Sequence, residues 1–465
     1  MASCVMEFDE ADQFLTDLDQ RDAHQLSFSY AFENGIERAR HLLVQLGGAP
    51  NISRRCVVVT GSKGKGSTTI LVANVLAAAG YKVGVFTGPH LHHVVERFAM
   101  SHPGDPATPV IRSMPETVFA KYATEIRHIV NTWDAPAVGL PTRFEAYTTI
   151  AYRWFEACKC DLALFEVGIG GRDDTTNLGE PFVSVFANIS LEHTEMLGST
   201  VEKIAEEKSG IMRPHGHAVS ARQLTVVERV LRSRAAEIGC PFWLADEHWH
   251  VAGTSVRITP ERSGQMLSLS SLTRSVAIEV FLPLLGEVQI QNVATALTTL
   301  DALRLKGFAT SMSDVEAGFA GVRWPGRFEV IGLSPLVIAD GAHTPYSMKM
   351  LALSLGKYFK HRDVHMVIGI LRDKDARGIL ESISQVATSL TLTSVQNRRT
   401  LPVDQLSSLC NELGLSHKVV GEYAESSAAF ISANARAGAD AVVCITGSLH
   451  LVSEAQTNFS RLYST

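Results

Sequence analysis

Three observations predict an α/β protein: an N-terminal parallel-sheet domain carrying a small antiparallel sheet, then a smaller, Rossmann-like α/β domain. Short apolar runs alternate with helical patterns from about residue 55 onward. The runs are apolar throughout rather than at every second position, which is how strands read when both faces of a parallel sheet are covered. The alternation changes character over residues 240–280 and then resumes.

Taken in order, CVVVTG (56–61) reads as a buried strand, STTILVANVLAAAG (67–80) as a helix ended by Gly80, and KVGVFTG (82–88) as another strand. A helix follows over 143–158, then strands at DLALFEVG (161–168) and FVSVFANI (182–189), and a helix at 200–212. HWHVAG, SVRITP, MLSLSSL and VAIEVFLPL read as short antiparallel strands of an appended sheet. A helix is expected at 289–305. The Gly-, Pro- and Arg-rich GVRWPGRFEVIGL (321–333) reads as a linker. VIADGAH, VHMVIGI, SLTLTSV and AVVCITG then alternate with helices, so the expected domains are 1–325 and 326–465.

Composition narrows the function classes. With 42 Lys plus Arg against 48 Asp plus Glu, the net charge of −6 argues against general nucleic-acid binding. A hydrophobic share of 46% against 19% charged residues supplies large cores. The first residues, MASCVMEFDEADQF, are acidic and lack the basic-then-apolar pattern of a secretory signal. The apolar stretch 70–86 is short and interrupted by Asn74 and Lys82, so no membrane span is expected. Seven scattered cysteines point to a reducing, cytoplasmic setting without structural disulfides or zinc. No coiled-coil heptads are present, and a monomer is expected.

VVVTGSKGKGSTT sets Gly61, Gly64 and Gly66 between a strand and a helix N-terminus. Glycines let the backbone approach a phosphate closely, and the helix start offers unpaired N–H groups. Lys65 suits the β- and γ-phosphates, and the Ser67 hydroxyl suits Mg²⁺. The spacing departs from the standard motif, which would put Gly at position 59, where Val stands; a Gly-rich turn with an incidental lysine is the plainer alternative. With this loop the N-terminal domain reads as P-loop ATPase-type. Glu166 ends a buried strand before Gly168, Gly170 and Gly171, at the sheet edge where ligands gather. Its carboxylate suits Mg²⁺, which prefers hard oxygen ligands. On helix 200–212, Val201, Ile204, Ala205, Lys208 and Ile211 share one face. A buried amine there is expected to have a lowered pKa; the alternative is a stem that packs while the amine reaches water.

The loop resembles the shortened ATP loop of the Mur ligase superfamily, and more closely that of folylpolyglutamate synthases and dihydrofolate synthases. TGPHL with VVERF (87–98), FEAYTTIAYRWF (144–155), EVGIGGRDDTTN (166–177), LEHTEMLGSTVEKIAEEKSGI (191–211), LGEVQIQN (285–292), WPGRF (324–328), ADGAHTPYS (339–347) and ITGSLHLV (445–452) follow in the family's order. The resemblance implies ATP and Mg²⁺, with two metal sites, and a small-molecule acid plus L-glutamate as substrates. It implies that Gly61, Gly64, Lys65, Gly66, Ser67 and Thr68 hold the nucleotide, with Asn292 near the adenine. Arg327 would reach the phosphates, acting from the linker, and Asp340 and His343 would contact ribose and phosphate. Ser67, Glu166, His193 and a carbamylated Lys208 would hold metal. Lys65, Lys208, Arg327 and His343 are the expected catalytic groups. The implied reaction turns the acid into an acyl phosphate, which glutamate's amine then attacks.

Three positions depart from the family pattern: Lys63 for Asn, Gly88 for Ser, and Glu192 for Asp. The stretch FAMSHPGDPATPVIRSMPE is only loosely like the folate enzymes. Two other readings therefore stand beside the folate ligase: the same chemistry on a non-folate acid, and a catalytically inactive nucleotide-binding paralogue.

Overall fold

The computed structural model describes residues 5–21, 34–102 and 111–463. The chain divides into two bodies. The first comprises Met1–Val251, Leu269–Ile278 and Gln291–Val322; the second comprises Ala252–Ser268, Glu279–Ile290 and Arg323–Thr465.

In the first body an eight-stranded sheet is built from β1 (Cys56–Thr60), β2 (Val83–Phe86), β3 (Phe98–Ser101), β4 (Ile111–Ser113), β5 (Leu162–Glu166), β6 (Val183–Phe186), β7 (His217–Ser220) and β8 (Phe242–Leu244). Its order is β4-β3-β2-β5-β1-β6-β7-β8. The six strands from β2 to β8 in that order run parallel, and β3 pairs antiparallel with both β2 and β4. β1 is buried at every position and sits between β5 and β6. Val59 pairs with Glu166, and Thr60 pairs with Phe186. The loops leaving β1, β5 and β6 therefore emerge side by side at the carboxyl edge, the place where parallel sheets bind ligands. Helix Lys65–Ala78 is buried on nearly all sides, as expected of an apolar helix with no polar stripe.

A three-stranded sheet, order β11-β10-β9, uses β9 (Trp249–Ile258), β10 (Ser263–Ser271) and β11 (Ala277–Leu282). The expected appended sheet is thus present. The 240–280 region is nonetheless not all of one kind: Phe242–Leu244 joins the large sheet parallel to β7. Three residues with a single buried leucine carry too little pattern to separate the two cases.

The second body holds a six-stranded sheet of β12 (Glu329–Leu333), β13 (Leu336–Ala339), β14 (Val364–Ile368), β15 (Ser389–Thr393), β16 (Val419–Tyr423) and β17 (Val442–Thr446). The order is β12-β13-β17-β14-β15-β16, parallel except for β12. The linker reading of 321–333 is corrected here: Glu329–Leu333 is an edge strand hairpinned to β13. Its half-exposed positions and internal Gly332 hid it among turn-forming residues.

Six cysteines of the described chain are free. No helix among the described residues is long and apolar enough to cross a membrane.

Candidate active site

The β1 loop is shaped by steric need at two glycines. Gly61 has φ +143, and a Cβ there would meet the Ala187 Cβ at 2.8 Å. Gly64 has φ +88 and caps the helix, and a Cβ there would meet Asn292 Oδ1 at 2.3 Å. Any side chain at either place would strain the backbone and push the loop open. Asn292, expected near an adenine, thus lies against the β1 loop. The helix begins at Lys65, two residues earlier than its sequence pattern suggested, so Gly66, Ser67 and Thr68 form its first turn. Thr68 N–H already bonds Gly64 O at 2.9 Å, whereas the N–H groups of Gly66 and Ser67 lie ahead of the first helical bond and remain as donors at a positive helix end.

Lys65 is half-buried rather than facing solvent, and its ammonium donates to its own loop carbonyl, Gly61 O, at 2.9 Å. The same oxygen accepts from Lys208 Nζ at 3.1 Å. Lys208 is 1% exposed and also donates to Glu192 Oε1 at 3.2 Å. The water-reaching alternative for Lys208 is therefore excluded. Helix Val201–Ser209 buries Ile204, Ala205 and Lys208 together; Ile211 lies past its end. Burial drives the Lys208 ammonium down to about 8, with Glu192 partly offsetting it.

Glu192 behaves oppositely. Burial would raise its carboxyl, but Lys65, Lys208, Lys63 and His193 outweigh burial and bring it down to about 2. A folded pKa below the unfolded 4.5 stabilises the fold above pH 4.5, and that stabilisation is lost as pH falls toward 2. The shift corresponds to about 3 kcal/mol. Acid unfolding of Glu192→Gln should accordingly fall less steeply with pH between about 4.5 and 2 than that of the parent. Equal slopes in the two proteins would contradict the pairing.

The β6 loop is stitched to the β1 loop. Ser62 N–H donates to Asn188 O at 2.7 Å, Ser62 Oγ donates to Ser190 O at 2.8 Å, and Ser190 N–H returns to Ser62 Oγ at 3.0 Å. His193 sits at the end of this loop with φ +47, a strained value for a non-glycine residue. Buried Thr68 Oγ1, Thr69 Oγ1, Asn188 Oδ1 and Ser190 Oγ have no hydrogen-bond partner among the described residues.

The β5 loop is fixed by a residue that sequence reasoning passed over. Asp174 accepts from Gly168 N–H at 3.0 Å, Ile169 N–H at 3.1 Å and Thr176 N–H at 2.9 Å. Burial pushes its carboxyl up, and these donors hold it back. The signal was available: a short acid just after a Gly-rich turn whose N–H groups need acceptors. Thr60 Oγ1 donates to Gly170 O at 2.7 Å, joining the β1 end to this turn. Glu166 is nearly buried, and one carboxylate oxygen accepts from Gly88 N–H at 3.1 Å. Among the described residues no group of three or more His, Cys, Asp or Glu is placed to hold a metal ion.

Arg327, Asp340 and His343 belong to the second body. Asp340 follows β13 and uses one oxygen on Phe328 N–H and the other on Ala342 N–H, both at 2.8 Å. Burial raises its carboxyl, with Arg327 pulling the other way. Arg327 donates to Gly326 O at 3.0 Å, and His343 Nδ1 lies 2.7 Å from Gly341 O.

Residues 108–300 match the Mur ligase middle domain, and residues 326–449 match the Mur ligase glutamate ligase domain. A relative from Escherichia coli, named dihydrofolate synthase/folylpolyglutamate synthase, is 30% identical over 91% of this chain and 91% of its own length. The chain belongs to the folylpolyglutamate synthase/dihydrofolate synthase family. The Mycobacterium tuberculosis folylpolyglutamate synthase complexed with ADP superposes on this family member with a TM-score of 0.84 at 30% identity, covering 98% of this chain and 99% of that one. A Haloferax volcanii relative, named a probable bifunctional folylpolyglutamate synthase/dihydropteroate synthase, is 32% identical over 98% of this chain, which spans only 51% of that protein's length.

The departures of this synthase-family chain now have a setting. Gly88 lies against Arg97: a Cβ would come within 2.5 Å of a guanidinium nitrogen, so a side chain there must displace Arg97. Lys63 and Glu192 face each other, 3.8 Å apart. Residues 103–110 of the divergent stretch lie outside the described residues.

Proposed function

We propose that the chain is an ATP-dependent ligase joining L-glutamate to the carboxylate of a folate or dihydropteroate, through an acyl phosphate, with release of ADP and phosphate. The observation that carries this reading is the convergence of two lysines, Lys65 and Lys208, on one carbonyl of a glycine-shaped loop at a helix start. The likeness to ADP-binding and folate-named relatives supports it.

A carboxylate is a poor acyl donor because oxide is a poor leaving group; phosphorylation supplies a better one. The chain's part is positioning and charge neutralisation, with no protein nucleophile. Lys65 leaves Gly61 O to meet the phosphates, while the first-turn N–H groups of Gly66 and Ser67 hold them, with Thr68 next in the turn. Mg²⁺ is held in such sites by one or two carboxylates together with substrate phosphates and water rather than by a protein cage. Glu166 and Ser67, with unpartnered Thr68 Oγ1 nearby in sequence, fit that hard-oxygen requirement. His193 would serve beside them, and a carbamylated Lys208 would hold a second ion. When bound, Mg²⁺ supplies neutralisation of the phosphate charge.

In the second body Arg327 is assigned to the reacting phosphates. Arg327→Ala should lower kcat by about tenfold or more while ATP binding changes less, because an interaction made mainly in the reacting state appears in kcat. Unchanged kcat with weaker ATP binding would remove that role.

The test is a screen of pteroates, folates and other acids against amino acids for ADP formation, with mass spectrometry of the products. ADP and a glutamylated pterin product are expected. ADP formation only with non-pterin acids would move the assignment to another acid. Absence of turnover with every acid would leave a nucleotide-binding paralogue.

A further inference from the structure

Arg97 closes the loop that leaves β2 in the first body, just before β3. The order β2-β5-β1 sets that loop two strands from the β1 loop, about 10 Å away, with Glu166 at the end of the strand between them. Arg97 is half-buried. Its Nε donates to His90 Nδ1 at 2.9 Å, and its guanidinium carbon lies 5.5 Å from the centre of the Tyr147 ring. A Cβ at Gly88 would come within 2.5 Å of Nη1, so the guanidinium fills the room that the glycine leaves. Nη1 and Nη2 carry four N–H donors, and among the described residues none of them has a hydrogen-bond or ion-pair partner. Neither nitrogen is one of the fully buried orphaned atoms, so both are open to an arriving group. Burial works against the charge of Arg97; Tyr147, Glu166 and Asp12 favour it through space, and Arg143 opposes it. Tyr147 is itself fixed, edge-on to Phe98 in the buried core. The cation is thus held on one side by an imidazole and on another by a ring, and its outer fork is left for an anion.

We propose that Arg97 binds the reacting carboxylate of the acid substrate through Nη1 and Nη2, in the space that Gly88 leaves for the guanidinium. This rests on the ligase reading for the identity of the acid. An acid lying over the end of β5 then has its carboxylate between Arg97 and the β1 loop, where the nucleotide phosphates are assigned. A planar fork suits a planar carboxylate and fixes its orientation as well as its place. His90 and Tyr147 act through Arg97, as groups that keep the fork from turning away.

The test is calorimetric titration of the full chain with two probes: dihydropteroate, and the same molecule with hydrogen in place of its carboxylate. ADP and Mg²⁺ are present and glutamate is absent, so that no amide forms. The parent should bind dihydropteroate about 10–100-fold more tightly than the decarboxylated probe, the scale of a charge-assisted pair. Arg97→Gln should bind the two about equally. Gly88→Ala, whose Cβ pushes the guanidinium aside, should fall between. Damage to the fold weakens both probes together and leaves their ratio alone, so the ratio separates contact with the carboxylate from a structural role. Arg97→Gln with the parent's ratio overturns the proposal, as does a parent that binds neither probe or does not prefer the carboxylate. If Arg97→Gln does not fold, Gly88→Ala decides by the same ratio. The readout is binding, so failure here is distinct from failure of the ligase reading, which shows as absence of ADP formation with every acid.

Discussion

Lys65→Ala is expected to lower turnover by about 10²–10³-fold while leaving the fold intact. The size follows from the position of the amine: Lys65 begins the helix after the β1 loop, and its ammonium donates to that loop's Gly61 O. Charge placed where charge develops contributes most in the reacting state, so the loss belongs mainly in kcat. The fold is protected because Gly61 O keeps its second donor, Lys208 Nζ, when Lys65 is removed. Steady-state ADP formation beside a thermal melt checks both halves. Turnover within about threefold of the parent would sink the phosphate-loop assignment.

Lys208→Ala is expected to lose most activity as well, for a different reason. Its amine is buried, and burial brings it down to about 8, so a useful fraction is neutral near pH 7–8. The ammonium first gives up one proton; the neutral amine then attacks CO₂, an N–C bond forms and a second proton leaves to solvent, so that a cation has become an anion able to hold Mg²⁺. The sign is fixed by the direction of the shift. The neutral fraction grows as pH rises through about 8, so bicarbonate-dependent activity should rise over the same range. Lys208→Arg keeps a cation for Glu192 but forms no carbamate, so it should fold and remain slow. Small carboxylic acids should partly restore Lys208→Ala by filling the vacated oxygen-ligand position. Full activity of Lys208→Arg, or indifference of the parent to removal of CO₂ and bicarbonate, would contradict the carbamate.

Much of the fold could be read because its strands are buried on both faces. Cys56–Thr60 and Leu162–Glu166 are apolar at every strand position but their last, and glycines mark the turns that follow. The elements that escaped notice have weaker local patterns. Glu329–Leu333 is an edge strand with half-exposed residues, and Phe242–Leu244 owes its place to pairing with β7. The site divides the same way. Lys65 and Lys208 were legible because a Lys in a Gly-rich loop and a Lys on an apolar helix face are both unusual locally. Asp174 was legible only in outline, as a short acid after a Gly-rich turn; which N–H groups it accepts from depends on a turn shape the sequence does not display. Glu192 stood out only as a departure from a family pattern. Its meeting with Lys63 and Lys208 depends on β1 and β6 lying side by side, a long-range fact that no local spacing contains.

The central claim is that this chain activates a carboxylate with ATP before an amine attacks it. The direct measurement supplies dihydropteroate whose carboxylate oxygens are both ¹⁸O, together with unlabelled ATP and L-glutamate, and examines the released phosphate by mass spectrometry. An acyl phosphate joins one carboxylate oxygen to the transferred phosphorus, and amide formation breaks the carbon–oxygen bond. One ¹⁸O per phosphate released is therefore expected. Phosphate free of ¹⁸O, formed while the amide product accumulates, would contradict the account.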